Sequence, residues 1–133
     1  MYFSVNTAYK NKMNINTLER NNTLIAIIQS EEVIITDAQS ALDFIMSVNY
    51  ETGSRHIAIN KSAVSEDFFR LSTGIAGEIL QKFINYHMKI AIIGDFSHYT
   101  SKPLKDLIYE SNHGKDTFFV STEDEAVEKL AGI

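Results

Sequence analysis

Two stretches of the chain are apolar almost without interruption. Leu24, Ile25, Ala26, Ile27 and Ile28 run together within residues 23–29, and residues 88–94 read MKIAIIG. Side chains alternate between the two faces of a strand, so unbroken apolar runs of this length predict strands covered on both faces, as in the middle of a sheet. Further strands are predicted over residues 14–20, 56–60 and 117–121, the middle one short and rich in β-branched residues. Asn21 and Asn22 tolerate the positive φ of a tight turn, which makes the first two strands a hairpin.

Between the strands the apolar period changes to that of a helix. Thr36 and Gln39 fit a capping box, Ala38, Ala41, Leu42, Ile45 and Met46 then share one face, and Gly53 ends the segment. A long helical region is predicted over residues 65–87, striped by Ile75, Ile79, Leu80, Phe83 and Ile84. Gly74 and Gly77 interrupt it, which points to a helix start, a kink or a close backbone approach. Pro103 suits a first helical turn ahead of Leu104, Leu107 and Ile108, and Gly114 stops that helix. Thr122 and Glu125 form a second capping box before a short helix through Leu130.

The element order implies an α/β class: a mixed, mostly parallel five-stranded sheet with an N-terminal β-hairpin and about four helices. Residues 1–12 show no period and are expected to be a flexible N-terminal arm, with residues 13–133 forming a single domain. The 133 residues are 44% hydrophobic and 22% charged, so neither disorder nor a fibrous architecture is suggested. A formal charge of −5 argues against nucleic acid as a partner, because phosphate neutralisation needs a basic stripe. The absence of cysteine removes thiolate nucleophiles, disulfides and sulfur-ligated metals.

No apolar run approaches the roughly 20 residues that span a bilayer, and the N-terminus lacks the order of a secretory signal. No membrane association and a cytoplasmic location are therefore expected. His56, His87, His98 and His113 are scattered without metal-ligand spacing, and no dinucleotide, Walker or hydrolase motif occurs. Neither a metal nor a cofactor is expected.

In open α/β sheets ligands bind at the carboxyl ends of the strands. That rule gathers Asn60, Lys61 and Ser62 after the third predicted strand with Asp95, Ser97, His98 and Tyr99 after the fourth, and places Ser72, Thr73 and Gly74 nearby. Asp95 offers a base, Tyr99 a donor and Lys102 an anion contact. The commoner use of an aspartate after a strand is to accept turn N–H groups, and the commoner use of Ser72 or Thr73 is to cap a helix. A phosphate at Ser72 would suit a helix N-terminus if Ser72 stands at one. Phe68 and Phe69 are adjacent, so one of them is expected to be exposed and available as a partner anchor.

The segments ITDAQSALD, YETG, NKSAVSEDFFRLSTGIAGEILQKFINY, AIIGDFSHYTSKPLKD and ESNHG resemble a small bacterial family of domains of unknown function, number 4180, over most of the chain. More distantly, the element order resembles STAS domains, the fold of anti-sigma-factor antagonists. Those proteins carry D-S-S-G-L or D-S-T-G-L after the third strand, where this chain has Leu71-Ser72-Thr73-Gly74-Ile75. The likeness implies a STAS-like fold and makes Ser72 the counterpart of their phosphoacceptor serine. Leu71 replaces their aspartate, and the preceding segment, with Glu66 and Asp67, is longer than theirs.

The expected function is a non-catalytic regulatory or interaction module that binds a protein partner or a small anionic ligand. Its expected contacts are Asn60, Lys61, Ser62, Asp67, Ser72, Thr73, Gly74, Asp95, Ser97 and Tyr99. Two alternatives stand beside it: a small enzyme using Asp95 and Tyr99 at the same edge, and a structural homodimer subunit.

Overall fold

A computed structural model describes Tyr2–Val5, as backbone, and residues 13–133. The five expected strands are present as β2 (Met13–Arg20), β3 (Thr23–Ser30), β4 (His56–Asn60), β5 (Lys89–Ile93) and β6 (Thr117–Val120). A sixth, β1 (Tyr2–Val5), pairs antiparallel with β2 at the sheet edge. The expected N-terminal arm thus includes a paired strand, and residues 6–12 lie outside the described residues. Asn21 and Asn22 take φ values of 54° and 62°, the double left-handed turn that closes the antiparallel β2–β3 hairpin.

From β3 onward each strand pairs in parallel with the next, in the order β3-β4-β5-β6. Successive crossovers that advance in one direction, with the usual right-handed sense, lay their helices on one face. Accordingly α1 (Ala38–Thr52), α2 (Ile75–Asn85) and α3 (Lys102–Asn112) share one core. Helix α4 (Glu123–Ala131), which follows the last strand, packs in a second core on the other face.

Alternation along β4 and β5 sorts the two layers by size. Ile57, Ile59, Ile90 and Ile92 face α1–α3, whereas Ala58 and Ala91 belong to the α4 core. The small side chains let one nine-residue helix lie close against the sheet, and α4 touches β3, β4, β5 and β6.

Local signals set most boundaries. Helix α1 starts one residue later than the Thr36–Gln39 pattern suggests: Asp37 is the N-cap, its carboxylate accepting from Ser40 N at 2.8 Å while Ser40 Oγ accepts from Asp37 N at 3.0 Å. Its buried face is Ala41, Phe44, Ile45 and Val48, and Met46 is exposed. Gly53 closes the helix at φ 74°, and Thr122 caps α4 through Glu125 N at 3.1 Å.

The single long helix expected over residues 65–87 does not form. Three short 3₁₀ turns, Lys61–Ala63, Glu66–Phe69 and Leu71–Thr73, precede α2. Gly74, at φ 76°, reverses the chain and starts α2. Side chains hold the break: Ser65 Oγ accepts from Asp67 N, and Thr73 Oγ1 accepts from Ile75 N. Ile84 therefore lies at the far end of a shorter helix and is exposed.

Candidate functional site

Strands β4 and β5 run the same way in direct register, with Asn60 opposite Ile93. Their following segments consequently emerge side by side and form one rim. Asn60 is spent on building it. Its carboxamide accepts from Ser30 N at 2.8 Å and donates to Ser30 O at 2.7 Å, so one side chain extends the β3–β4 pairing past the end of β4. The same amide donates to Ser62 Oγ at 2.6 Å.

Lys61 then lies flat across the end of β5. A Cβ at position 94 would stand 2.6 Å from Lys61 Cβ, so Gly94 is required here by space alone. The Lys61 ammonium reaches Glu66 Oε1 at 3.0 Å and sits 4.9 and 5.1 Å from the ring centroids of Phe69 and Tyr99. Tyr99 stacks on Phe69 at 5.2 Å and donates its hydroxyl to Glu66, 2.8 Å from Oε2. Lys61, Glu66 and Tyr99 thus tie the segment after β4 to the segment after β5.

The electrostatics of this trio point one way. Burial alone would lower the Lys61 pKa, but hydrogen bonding to Tyr99 and Glu66 outweighs it and holds the ammonium above its ordinary value. Burial would raise Glu66, yet the Tyr99 and Lys61 hydrogen bonds and the Lys61 charge leave the carboxyl below its ordinary value. Tyr99 is raised, first by burial and then by Glu66, against the opposing effect of Lys61. Each of the three moves away from neutral pH.

Other expected contacts serve local structure. Asp95 accepts from Ser97 N at 2.9 Å in its own turn, and bonding to Ser97 lowers its pKa. Asp67 pairs with Arg70, and Lys102 pairs with Asp106 at 2.7 Å. The Thr73 hydroxyl lies 2.9 Å from Asp67 O and 2.8 Å from Arg70 O, pinning the 3₁₀ turns together. Ser72 is exposed within the turn Leu71–Thr73 and does not occupy the α2 N-cap, which is Gly74.

The ridge made by the trio separates two open depressions. One, of about 530 Å³, gathers Asn60, Lys61, Ser62, Glu66, Gly94 and Asp95. The other, of about 430 Å³, gathers Arg70, Ser72, His98, Tyr99, Thr100 and Ser101 over Phe69. Asn60 and Asp95 therefore share one hollow, and Ser72 and Tyr99 the other.

Phe68 and Phe69 are both buried, at 0% and 2% exposure, which removes the expected exposed anchor. On a 3₁₀ turn wedged between the sheet end and the 95–100 segment, both rings find partners. Phe68 packs toward Phe119, and Phe69 packs on Phe96 and Tyr99. Glu66, Gly94 and Arg70 were not among the expected contacts, whereas His98 lies at the rim where it was expected. The tight Lys61–Gly94 packing and the 33-position separation of Glu66 from Tyr99 leave no periodic trace in the sequence.

Fold and rim together define an α/β domain whose polar cluster sits where parallel neighbours end. Within that class the chain belongs to the family described as Domain of unknown function (DUF4180), whose model matches residues 20–130. No curated protein and no solved structure matches the chain. Among the described residues no helix is long and apolar enough to cross a membrane.

Proposed function

We propose that the domain is a non-catalytic regulatory or interaction module that binds a protein partner or a small anionic ligand through the rim of residues 60–73 and 95–99. Phosphorylation at Ser72 is its proposed switch. The observation that carries this reading is the closed bonding of the rim: Lys61 pairs with Glu66 at 3.0 Å and Tyr99 donates to the same carboxylate at 2.8 Å, contacts that favour a protonated Lys61, an ionised Glu66 and a neutral Tyr99. General acid–base catalysis asks for the opposite, a group brought toward the working pH. Asp95, the candidate base, is likewise lowered and turned into its own loop.

Fixed charges, a stacked aromatic pair and open hollows suit recognition. Ser72 stands on the edge of one hollow with its side chain exposed, which leaves it within reach of a kinase. The likeness of residues 71–75 to the STAS phosphoacceptor segment supports the same reading. Affinity capture from the native host, comparing wild type with Ser72→Glu, tests it. Partners or ligands retained by one form and released by the other support the switch, and identical retention by both removes it.

A further inference from the structure

The depression beside Ser72 has a lining that selects a ligand class. Resting on the reading above, we infer that it takes a small molecule carrying a phosphate or carboxylate on a flat apolar body. None of its lining residues is acidic, although the chain as a whole carries a formal charge of −5. The acids around it are already engaged, Glu66 by Lys61 and Tyr99, Asp67 by Arg70 and Asp95 by Ser97 N. An anion therefore meets less repulsion here than elsewhere on the rim, where Asp95 lines the neighbouring hollow.

The donors face the same space. Arg70 uses one guanidinium nitrogen on Asp67, and its side chain is 70% exposed, so its other N–H groups can meet a ligand. The Ser72 and Thr100 hydroxyls and the His98 ring nitrogens make no hydrogen bond among the described residues. Behind them lies an apolar wall. Phe69 and Tyr99 stack at 19° between their planes, and Leu71 and Pro103 flank them. A volume of about 430 Å³ leaves room for a small aryl phosphate or aromatic acid and is within the range of small-molecule sites, roughly 300–1,000 Å³.

The same placement gives the switch a mechanism. A phosphate on Ser72 would project into this hollow and compete with the ligand for Arg70 and His98. Modification and ligand are thus mutually exclusive occupants of one site.

Phenyl phosphate is the probe, followed by amide NMR and phosphorus NMR together. Saturable shifts are expected at residues 70–72 and 98–101, with the probe unchanged. Benzyl alcohol, which lacks the anion, is expected to bind more weakly. Arg70→Ala, which removes a charge-assisted hydrogen bond, and Ser72→Glu, which sets a competing carboxylate in the hollow, are each expected to weaken binding by about tenfold or more, with amide spectra that confirm the fold. Lys129→Ala, on the α4 face, is expected to leave it unchanged.

Shifts that are absent, or that do not depend on Arg70, overturn the ligand class and leave the non-catalytic reading standing. Release of inorganic phosphate from the bound probe overturns the non-catalytic reading and leaves the ligand class standing.

Discussion

The Tyr99 hydroxyl meets the Glu66 carboxylate at 3.0 Å from Oε1 and 2.8 Å from Oε2, across 33 positions of sequence. A double-mutant cycle of Tyr99→Phe and Glu66→Ala measures what that contact contributes. A hydrogen bond to a charged group is worth about 1.5–3 kcal/mol when sheltered, and the exposure of Glu66 reduces it, so a coupling of about 0.5–1 kcal/mol in chemical denaturation is expected. Strict additivity would mean that the two segments are not tied.

Gly94 carries a spatial demand that its backbone does not reveal. Gly94→Ala brings a Cβ within 2.6 Å of Lys61 Cβ and 2.9 Å of Lys61 Cδ. The Cβ is fixed to the backbone, so rotation of the lysine cannot relieve the overlap. A loss of about 1–3 kcal/mol is expected in thermal or urea unfolding, the usual cost of overpacking. Unchanged stability would place the Lys61 stem elsewhere.

Strand β6 is the last of the sheet, and an open edge invites pairing with another chain. Thr117 and Phe119 turn their polar backbone groups away from β5, because Ile90 N bonds to Asp116 O and Gly94 N to Val120 O. Asn112 fills that place for Phe119, accepting from its N–H at 2.7 Å and donating to its carbonyl at 3.1 Å. Asn112→Ala is expected to cost about 1–3 kcal/mol for the unpaired groups. Sedimentation is expected to show increased self-association of that variant; an unchanged distribution would assign the edge no such liability.

Glu66 also sets a pH dependence. Its folded-state pKa is lowered, so its contribution to stability is present above the unfolded pKa and is lost as pH falls through the folded one. Lys61 has the opposite sign, its contribution lost as pH rises through the raised value. Glu66→Gln is therefore expected to lie closest to wild type in stability below about pH 3 and furthest from it above about pH 5. A constant gap across that range would contradict the lowered carboxyl.

Much of the scaffold was legible in local chemistry. The two unbroken apolar runs announced β3 and β5, Asn21-Asn22 announced the hairpin, and Thr122 announced the start of α4. The alternation of strands and helices gave the parallel neighbours, and with them the rim. The 65–87 segment was misread because helical spacing of apolar residues survives a break: Ile75, Ile79 and Phe83 keep their stripe, while Gly74 and the Ser65 and Thr73 hydroxyls divert the chain before it. Phe68 and Phe69 differ from expectation as a consequence of that break, since two neighbours on a turn wedged against a sheet end, unlike two on a helix, can both be buried.

Within the site, residue types and their approximate place were readable, but partners were not. Lys61 and Tyr99 stood out as reactive side chains after strands. That Glu66 joins them, and that Ser72 and Asp95 fall into different hollows, follows from three-dimensional packing with no counterpart in spacing.

The most direct test of the account is a site-resolved NMR titration of the Glu66 carboxyl carbon in the folded protein. A midpoint below the ordinary glutamate range is expected, with the Tyr99 ring titrating above the ordinary tyrosine range in the same sample. A Glu66 midpoint raised toward neutrality would describe a proton-transfer site and would contradict a rim built for binding.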